Sequence, residues 1–456
     1  MADNLARRVI PAAESVPTMA MDAEKQWPPS RTAWYVAIML MLANTLSFVD
    51  RQVFALLVQP IKMDLQISDT AISVLYGLSF TLFYVIVGIP VARLADRSSR
   101  RNIIAASVFV WSLATALCGV AKNFTQLFVA RVGVGAGEGG LGPAAYSMLA
   151  DYFPPQRLPA AMGVYQVGVY MGGAAALLLG GALSTVIPPG ESITLPLLGT
   201  MKGWHLVFLA LGVPGVLLAL LLLTVREPRR MEHKGSEAKV PLPQFFAHVN
   251  SRKMAYFGIG LGFALMILVG NGSAAWIPAF LERKYGWTTA QIGAVYGLIV
   301  FFCGTSGTLA GGLFAATLRK RGVELANLYA PLLGFVLLIP ITIAYPLMAT
   351  AHAALVLIGM MNFFAGFNFG GGLAALQELT PNRMRALVSA GYMLTINLIG
   401  AALGPTIIAL CTDYWFGDPR RLHEAIALVC AVASPLSVVA LLIGIRGYKA
   451  AKLQGL

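Results

Sequence analysis

The sequence predicts an all-α, polytopic membrane protein, with twelve transmembrane helices in two pseudo-symmetric six-helix bundles. Three observations carry this prediction. Of 456 residues, 57% are hydrophobic and 12% charged, about half the charged share of a soluble domain. The apolar residues gather into twelve stretches, each close to the roughly 20 residues that cross a 30 Å hydrocarbon core. One long hydrophilic segment, 226–252, divides these stretches six and six.

Taken in order, spans are expected at 33–59, 71–93, 102–121, 124–150, 158–186 and 204–225. After the connector they resume at 254–281, 289–317, 324–347, 352–377, 386–411 and 423–446. The chain therefore divides into a tail (1–32), a first bundle (33–225), a linker (226–252), a second bundle (253–446) and a short tail (447–456). The first tail is polar and of mixed charge, with no apolar core after a basic start, so no cleavable signal peptide is expected.

Placing the N-terminus inside puts 24 of the 33 Lys and Arg residues on the inner side and seven on the outer side, with Arg51 and Arg131 inside spans. Basic residues concentrate on the cytoplasmic side of membrane proteins. Both termini are thus expected in the cytoplasm of a multi-pass cell-membrane protein. The net charge of +13 reflects this topology and contact with anionic membrane lipids rather than nucleic-acid binding. Cys118, Cys303, Cys411 and Cys430 stand singly in apolar segments, and the five histidines lie in loops or at span ends. No disulfide framework, metal site or cofactor is expected. No nucleophile sits at catalytic spacing from a base, and no GxxxxGK[ST] loop is present, so neither an enzyme nor an ATP-driven pump is predicted.

The chemistry concentrates in Phe128–Tyr146, FVARVGVGAGEGGLGPAAY, where Arg131 and Glu138 lie seven residues apart. That spacing is about two helical turns, so both face one way. A charge at membrane depth costs roughly 2.5–3.5 kcal/mol on insertion scales. Two on one face require partners or a wet cavity: a structural ion pair, or a coupling site in a transport path. In span 1, NTLSFVDRQV sets Asn44, Ser47, Asp50 and Arg51 on overlapping faces. Counting 1.5 Å per residue from the span ends brings Asp50 and Arg131 to similar depth, with Glu138 nearer the midplane. At equal depth Asp50 and Arg131 can pair wherever spans 1 and 4 are neighbours, the alternative being Asp50 with Arg51 alone. Tyr165, Gln166, Asn271, Asn362, Asn368 and Asn397 are further polar groups at membrane depth. They are candidates either to line a cavity or to tie helices together. The loop Asp96-Arg97-Ser98-Ser99-Arg100-Arg101 sets one acid among bases at a span end, a candidate gating contact. The segment after span 8, Gly311–Arg321, repeats its bases but has Ala316 where Asp96 stands.

ARLADRSSRR resembles the GxLaDrxGrR loop between spans 2 and 3 of the major facilitator superfamily, with Ala92 and Ser99 in place of its glycines. The twelve spans, the echo after span 8 and the central loop extend the resemblance over nearly the whole chain. It implies the major facilitator fold, with spans 1 and 4 adjacent. Within that superfamily, the span-1 Asp50-Arg51 pair and Arg131-xxx-Gly135-x-Gly137-Glu138 resemble the spinster-like branch, whose patterns are NxxDR and RxxxGxGEA. Here the asparagine is displaced and Gly139 replaces the alanine. The resemblance implies alternating access driven by a proton gradient, with Asp50, Arg51, Arg131 and Glu138 as coupling residues and a lysolipid or sphingolipid-like amphiphile as substrate. Organic-anion symporters of the superfamily also carry a span-1 Asp-Arg, so a small carboxylate or sugar acid is the alternative. The protein is expected to act as a monomer.

Overall fold

The computed structural model describes residues 27–95, 97–154, 156–186, 188, 191–195, 199–230, 241–368 and 371–453. Its spans are α1 (Ser30–Leu56), α2 (Asp69–Ala95), α3 (Arg100–Cys118), α5 (Leu158–Val186) and α6 (Gly203–Leu222), then α7 (Lys253–Tyr285), α8 (Thr289–Lys320), α9 (Ala326–Leu347), α10 (Ala351–Glu378), α11 (Leu387–Phe416) and α12 (Pro419–Leu453). Among the described residues these eleven are long and apolar enough to cross a membrane, by length and composition. The remaining span, α4, runs in two pieces, Phe124–Glu138 and Leu141–Tyr152, which meet at Gly139-Gly140. A glycine pair is a common cause of such a break.

Local chemistry starts several of these helices where they begin. Side chains of Ser68, Ser99, Asn123 and Thr350 accept backbone N–H bonds three residues on, satisfying donors that a helix start leaves free. Thr288 and Gln291 form a reciprocal capping box at the head of α8. Outward-facing leucines and aromatics such as Leu220, Phe302, Leu309, Leu313 and Val356 are more than half exposed. A soluble monomer does not carry an apolar belt on this scale; a membrane protein turns it to lipid.

The start of α1, the end of α12 and the described ends of the linker, 226–230 and 241–252, lie on one face of the bundle, here called the terminal face. On the opposite face the α1–α2 connection carries a short helix, Val58–Leu65. The α5–α6 loop, in which the sequence showed no chemistry, folds into a hairpin of Ser192–Leu195 and Gly199–Lys202. Lys202 pairs with Asp64 at 2.5 Å and the Trp204 indole donates to the same carboxylate at 2.9 Å, so the hairpin is anchored to the Val58–Leu65 helix.

Contacts between the halves gather toward the opposite face. Arg283 at the end of α7 donates to both oxygens of Asp69 at 2.6 and 2.8 Å and to the Gln59 amide oxygen at 2.6 and 3.0 Å. Lys62 adds a 2.5 Å pair to Asp69, which is fully buried. Asp413 of α11 accepts from the Thr70 amide and hydroxyl, both at 2.7 Å. Beside them α5 and α8 cross so closely that a methyl on Gly293 would stand 2.3 Å from the Leu177 carbonyl oxygen. At mid-membrane the Tyr170 and Thr308 hydroxyls meet at 2.6 Å.

Candidate functional site

The centre of the first half is an ion pair. Arg51 donates through Nε and Nη2 to Glu138 Oε2 at 3.0 and 2.6 Å, and Ser47 Oγ donates to that same oxygen at 2.5 Å. Glu138 is buried at the end of the first piece of α4, and its Oε1 has no hydrogen-bond partner among the described residues. The Arg51 side chain keeps 27% exposure. Its guanidinium lies over the rings of Phe48, Phe80 and Tyr84 at 4.9, 4.4 and 5.3 Å. An aromatic cage of this kind holds a guanidinium by cation–π attraction while leaving donors available. The result is a partly solvated cation balanced by one buried carboxylate.

Arg131 does not take the partner that its depth suggested. It is buried, donates through Nε to the Leu75 carbonyl at 3.3 Å, and lies over Phe54 and Phe80 at 4.8 and 5.5 Å. No Asp50–Arg131 ion pair within 4 Å forms, which corrects the expected pairing; the pair that forms is Arg51–Glu138. Helix rise fixes depth, whereas partner choice also depends on the angular position of each residue and on the reach of arginine. Phe80 thus stands between the two guanidiniums. Asp50 is buried within electrostatic reach of Glu138, Arg131 and Arg51. Four ionisable groups from two helices therefore form one cluster.

Of the other polar candidates, Asn44 is buried and donates to the Tyr165 carbonyl at 3.0 Å, tying α1 to α5. The buried Tyr165 ring packs edge-on against the exposed Tyr146, whose hydroxyl lies 3.5 Å from Gln166 Oε1. Asn362 and Asn397 donate to carbonyls one turn back on their own helices, Ile358 at 2.9 Å and Met393 at 2.8 Å. The Asn271 side chain is half-buried and lies outside these hydrogen bonds. The Oδ1 of Asn368 is buried without a partner.

At the terminal face Asp96 lies outside the described residues. Arg97 is exposed, and Arg100 is the anchor of the loop. Only 2% exposed, Arg100 donates to Asp151 at 2.5 Å, Glu227 at 2.9 Å and the Ser147 hydroxyl at 3.0 Å. Arg101 donates its amide to Glu227 at 2.8 Å. Burial raises the Glu227 carboxyl, but the Arg101 amide, the Arg100 guanidinium and the Ser99 hydroxyl outweigh it and hold it below its ordinary range. Sequence reasoning missed Asp151 and Glu227, acids at span ends far from the motif. The second half repeats the arrangement with an intermediary. Arg319 donates to Asn327 at 2.7 Å, and Asn327 donates to Glu378 at 3.1 Å. Glu378 ends α10, as Asp151 nearly ends α4, so a carboxylate is present although Ala316 replaces the loop acid.

Comparison with known proteins follows this geometry. Residues 40–446 match the family model described as Major Facilitator Superfamily. An "MFS-type efflux pump" of Mycolicibacterium smegmatis is 30% identical over 432 residues, covering 91% of this chain and 94% of that protein. A "probable L-galactonate transporter" of Escherichia coli is 27% identical, covering 82% of each. Among solved structures, a bacterial homologue of the human lysosomal transporter Spinster, inward-facing and unoccupied, superposes with a TM-score of 0.75 at 29% identity, covering 93% of this chain and 98% of that one. With twelve spans, two bundles and no enzymatic chemistry among these relatives, the chain belongs to the Major Facilitator Superfamily of membrane transporters and within it resembles the spinster-like branch.

Proposed function

We propose that this transporter is a proton-coupled symporter of a small organic anion, a carboxylate or sugar acid, working by alternating access and powered by a proton gradient. The Arg51–Glu138 pair is the observation that carries the reading. A guanidinium with 27% exposure is open to a solute carboxylate, while Glu138 occupies it when no substrate is bound. Protonating Glu138 removes the internal competitor, so a proton and an anion are loaded together. Asp50 and Arg131 complete the charge balance of the cluster, and the loop with Asp96, Arg97, Arg100 and Arg101 gates the terminal face. That face is assigned to the cytoplasm on its excess of Lys and Arg. The halves 33–225 and 253–446 are the rocking bodies, joined by the linker 226–252, in a monomer of the cell membrane. The L-galactonate relative supports an anionic solute.

The test is uptake of radiolabelled galactonate into proteoliposomes under imposed pH gradients. The parent should accelerate with an inward proton gradient. Glu138→Gln should retain counterflow exchange but lose that acceleration. A Gln variant that responds to the gradient like the parent would remove Glu138 as the proton site.

A second reading, an amphiphilic lysolipid substrate, is favoured by a laterally open apolar cleft between α8 and α10. Ile299, Leu355, Val356, Met360, Phe363 and Phe364 are among its walls, and an acyl chain needs such a surface. Competition between short hydroxy acids and single-chain lysolipids for the purified protein separates the two readings.

A further inference from the structure

We infer that the terminal end of α12 and the α8–α9 turn form a headgroup site for an anionic phospholipid, separate from the transport cavity. A cleft of about 570 Å³ opens there, walled by Val323, Glu324 and Leu325 of the turn, Tyr329 of α9, and Tyr448, Lys449, Lys452 and Leu453 of α12. Three observations on these residues point to a phosphate ester with an apolar tail.

The first is charge. Lys449 is exposed, has no carboxylate partner among the described residues, and lies 5.7 Å from the Tyr329 ring centroid. Lys452 lies three residues on, hence on the same helix face. It pairs with Glu324 at 2.8 Å, but both side chains are exposed, at 46% and 71%. Exposed pairs hold weakly, so Lys452 can turn to a phosphate. Among the residues that line the cleft, two cations thus face one exposed carboxylate.

The second observation is depth. Lys449 stands four residues before the end of α12 and Tyr329 three residues after the start of α9. Each is about one turn inside a membrane-crossing helix, the level of the headgroups. Tyrosine and the long lysine stem suit that level, with apolar body inward and polar tip outward. The third is the lining. Val323, Leu325 and Leu453 provide an apolar wall, and Leu453 is 89% exposed, so glycerol and acyl carbons can lie against it while the phosphate meets the lysines.

Occupancy bears on gating because Tyr448, in the wall, donates to Glu378 at 2.8 Å. That carboxylate also accepts from Asn327, the partner of Arg319.

The test uses the full-length protein in detergent, with lipids retained in native mass spectrometry and thermal shift as the two readouts. Phosphatidylglycerol should be retained over phosphatidylcholine, and Lys449→Gln with Lys452→Gln should weaken that preference roughly tenfold. Arg93→Gln, an exposed cation at the end of α2 in the first half, should leave it intact, as should Arg51→Ala in the ion-pair cluster. Soluble glycerol phosphate should give no thermal shift. Equal retention of phosphatidylcholine, or an undiminished preference in the double variant, would overturn the site. A full shift with glycerol phosphate alone would reassign it to a free solute, and loss in Arg51→Ala would move the bound lipid into the transport cavity.

Discussion

Arg51 meets Glu138 with two nitrogens on one oxygen while its plane rests among Phe48, Phe80 and Tyr84. A lysine keeps the charge but loses both the fork and the stacking. Arg51→Lys should therefore raise the KM for a carboxylate substrate roughly 10- to 100-fold, the loss of one charge-assisted hydrogen bond of about 1.5–3 kcal/mol. An unchanged KM in proteoliposomes would separate Arg51 from substrate binding. Gly135 sets the spacing of the cage, since a methyl there would stand 2.3 Å from the Phe80 carbonyl oxygen. Gly135→Ala should cost about 1–3 kcal/mol through overpacking, read as a lower Tm, and should displace Phe80 from both arginines. The charged members of this site were legible because charges inside apolar runs are rare. Phe80 and Tyr84 were not, because an aromatic residue in an apolar span looks the same whether it faces a guanidinium or lipid.

Whole elements meet at the opposite face, where α7, α2 and the Val58–Leu65 helix share the Arg283–Asp69–Lys62 cluster. Arg283 has 7% side-chain exposure and Asp69 none. Removing one member of a buried pair costs about 3–5 kcal/mol because the other is left uncompensated. That penalty falls on the state closed at this face and not on a state in which the halves have parted and water reaches Asp69. Arg283→Gln should thus shift the population toward opening here. Spin labels replacing Met63 and Trp415, both exposed on this face in different halves, should then show a longer distance population in the variant. An unchanged distance distribution would reduce the cluster to a packing contact. In the sequence Lys62 and Arg283 are only two of the seven outer-side cations, since a pairing between residues 214 apart leaves no local pattern. The span count was legible because hydrophobic length is a local property, and α4 was expected as one run since its break leaves the apolar stretch continuous.

At the scale of the molecule, alternating access requires two halves that move against each other, and the linker must allow it. Its first described residues are not free. Glu227 is held by Arg100, the Arg101 amide and Ser99, and Arg230 donates to the Ala95 and Ser98 carbonyls at 2.7 and 3.0 Å. The start of the linker therefore travels with the first half. Because these contacts hold the Glu227 carboxyl below its ordinary value, the stability it contributes is present above the unfolded value of about 4.3 and is lost as pH falls through the folded value. Near neutral pH the clamp is fully charged, so a pH change within the physiological range does not loosen it. Glu227→Gln should lower the Tm at pH 7, and its difference from the parent should shrink as pH falls below the unfolded value of about 4.3 and vanish below the lower folded value, where the parent carboxyl is also neutral. A difference constant from pH 7 to pH 3.5 would mean that shape rather than charge holds the linker. A Tm equal to the parent's at pH 7 would mean that Arg100 is anchored by Asp151 alone.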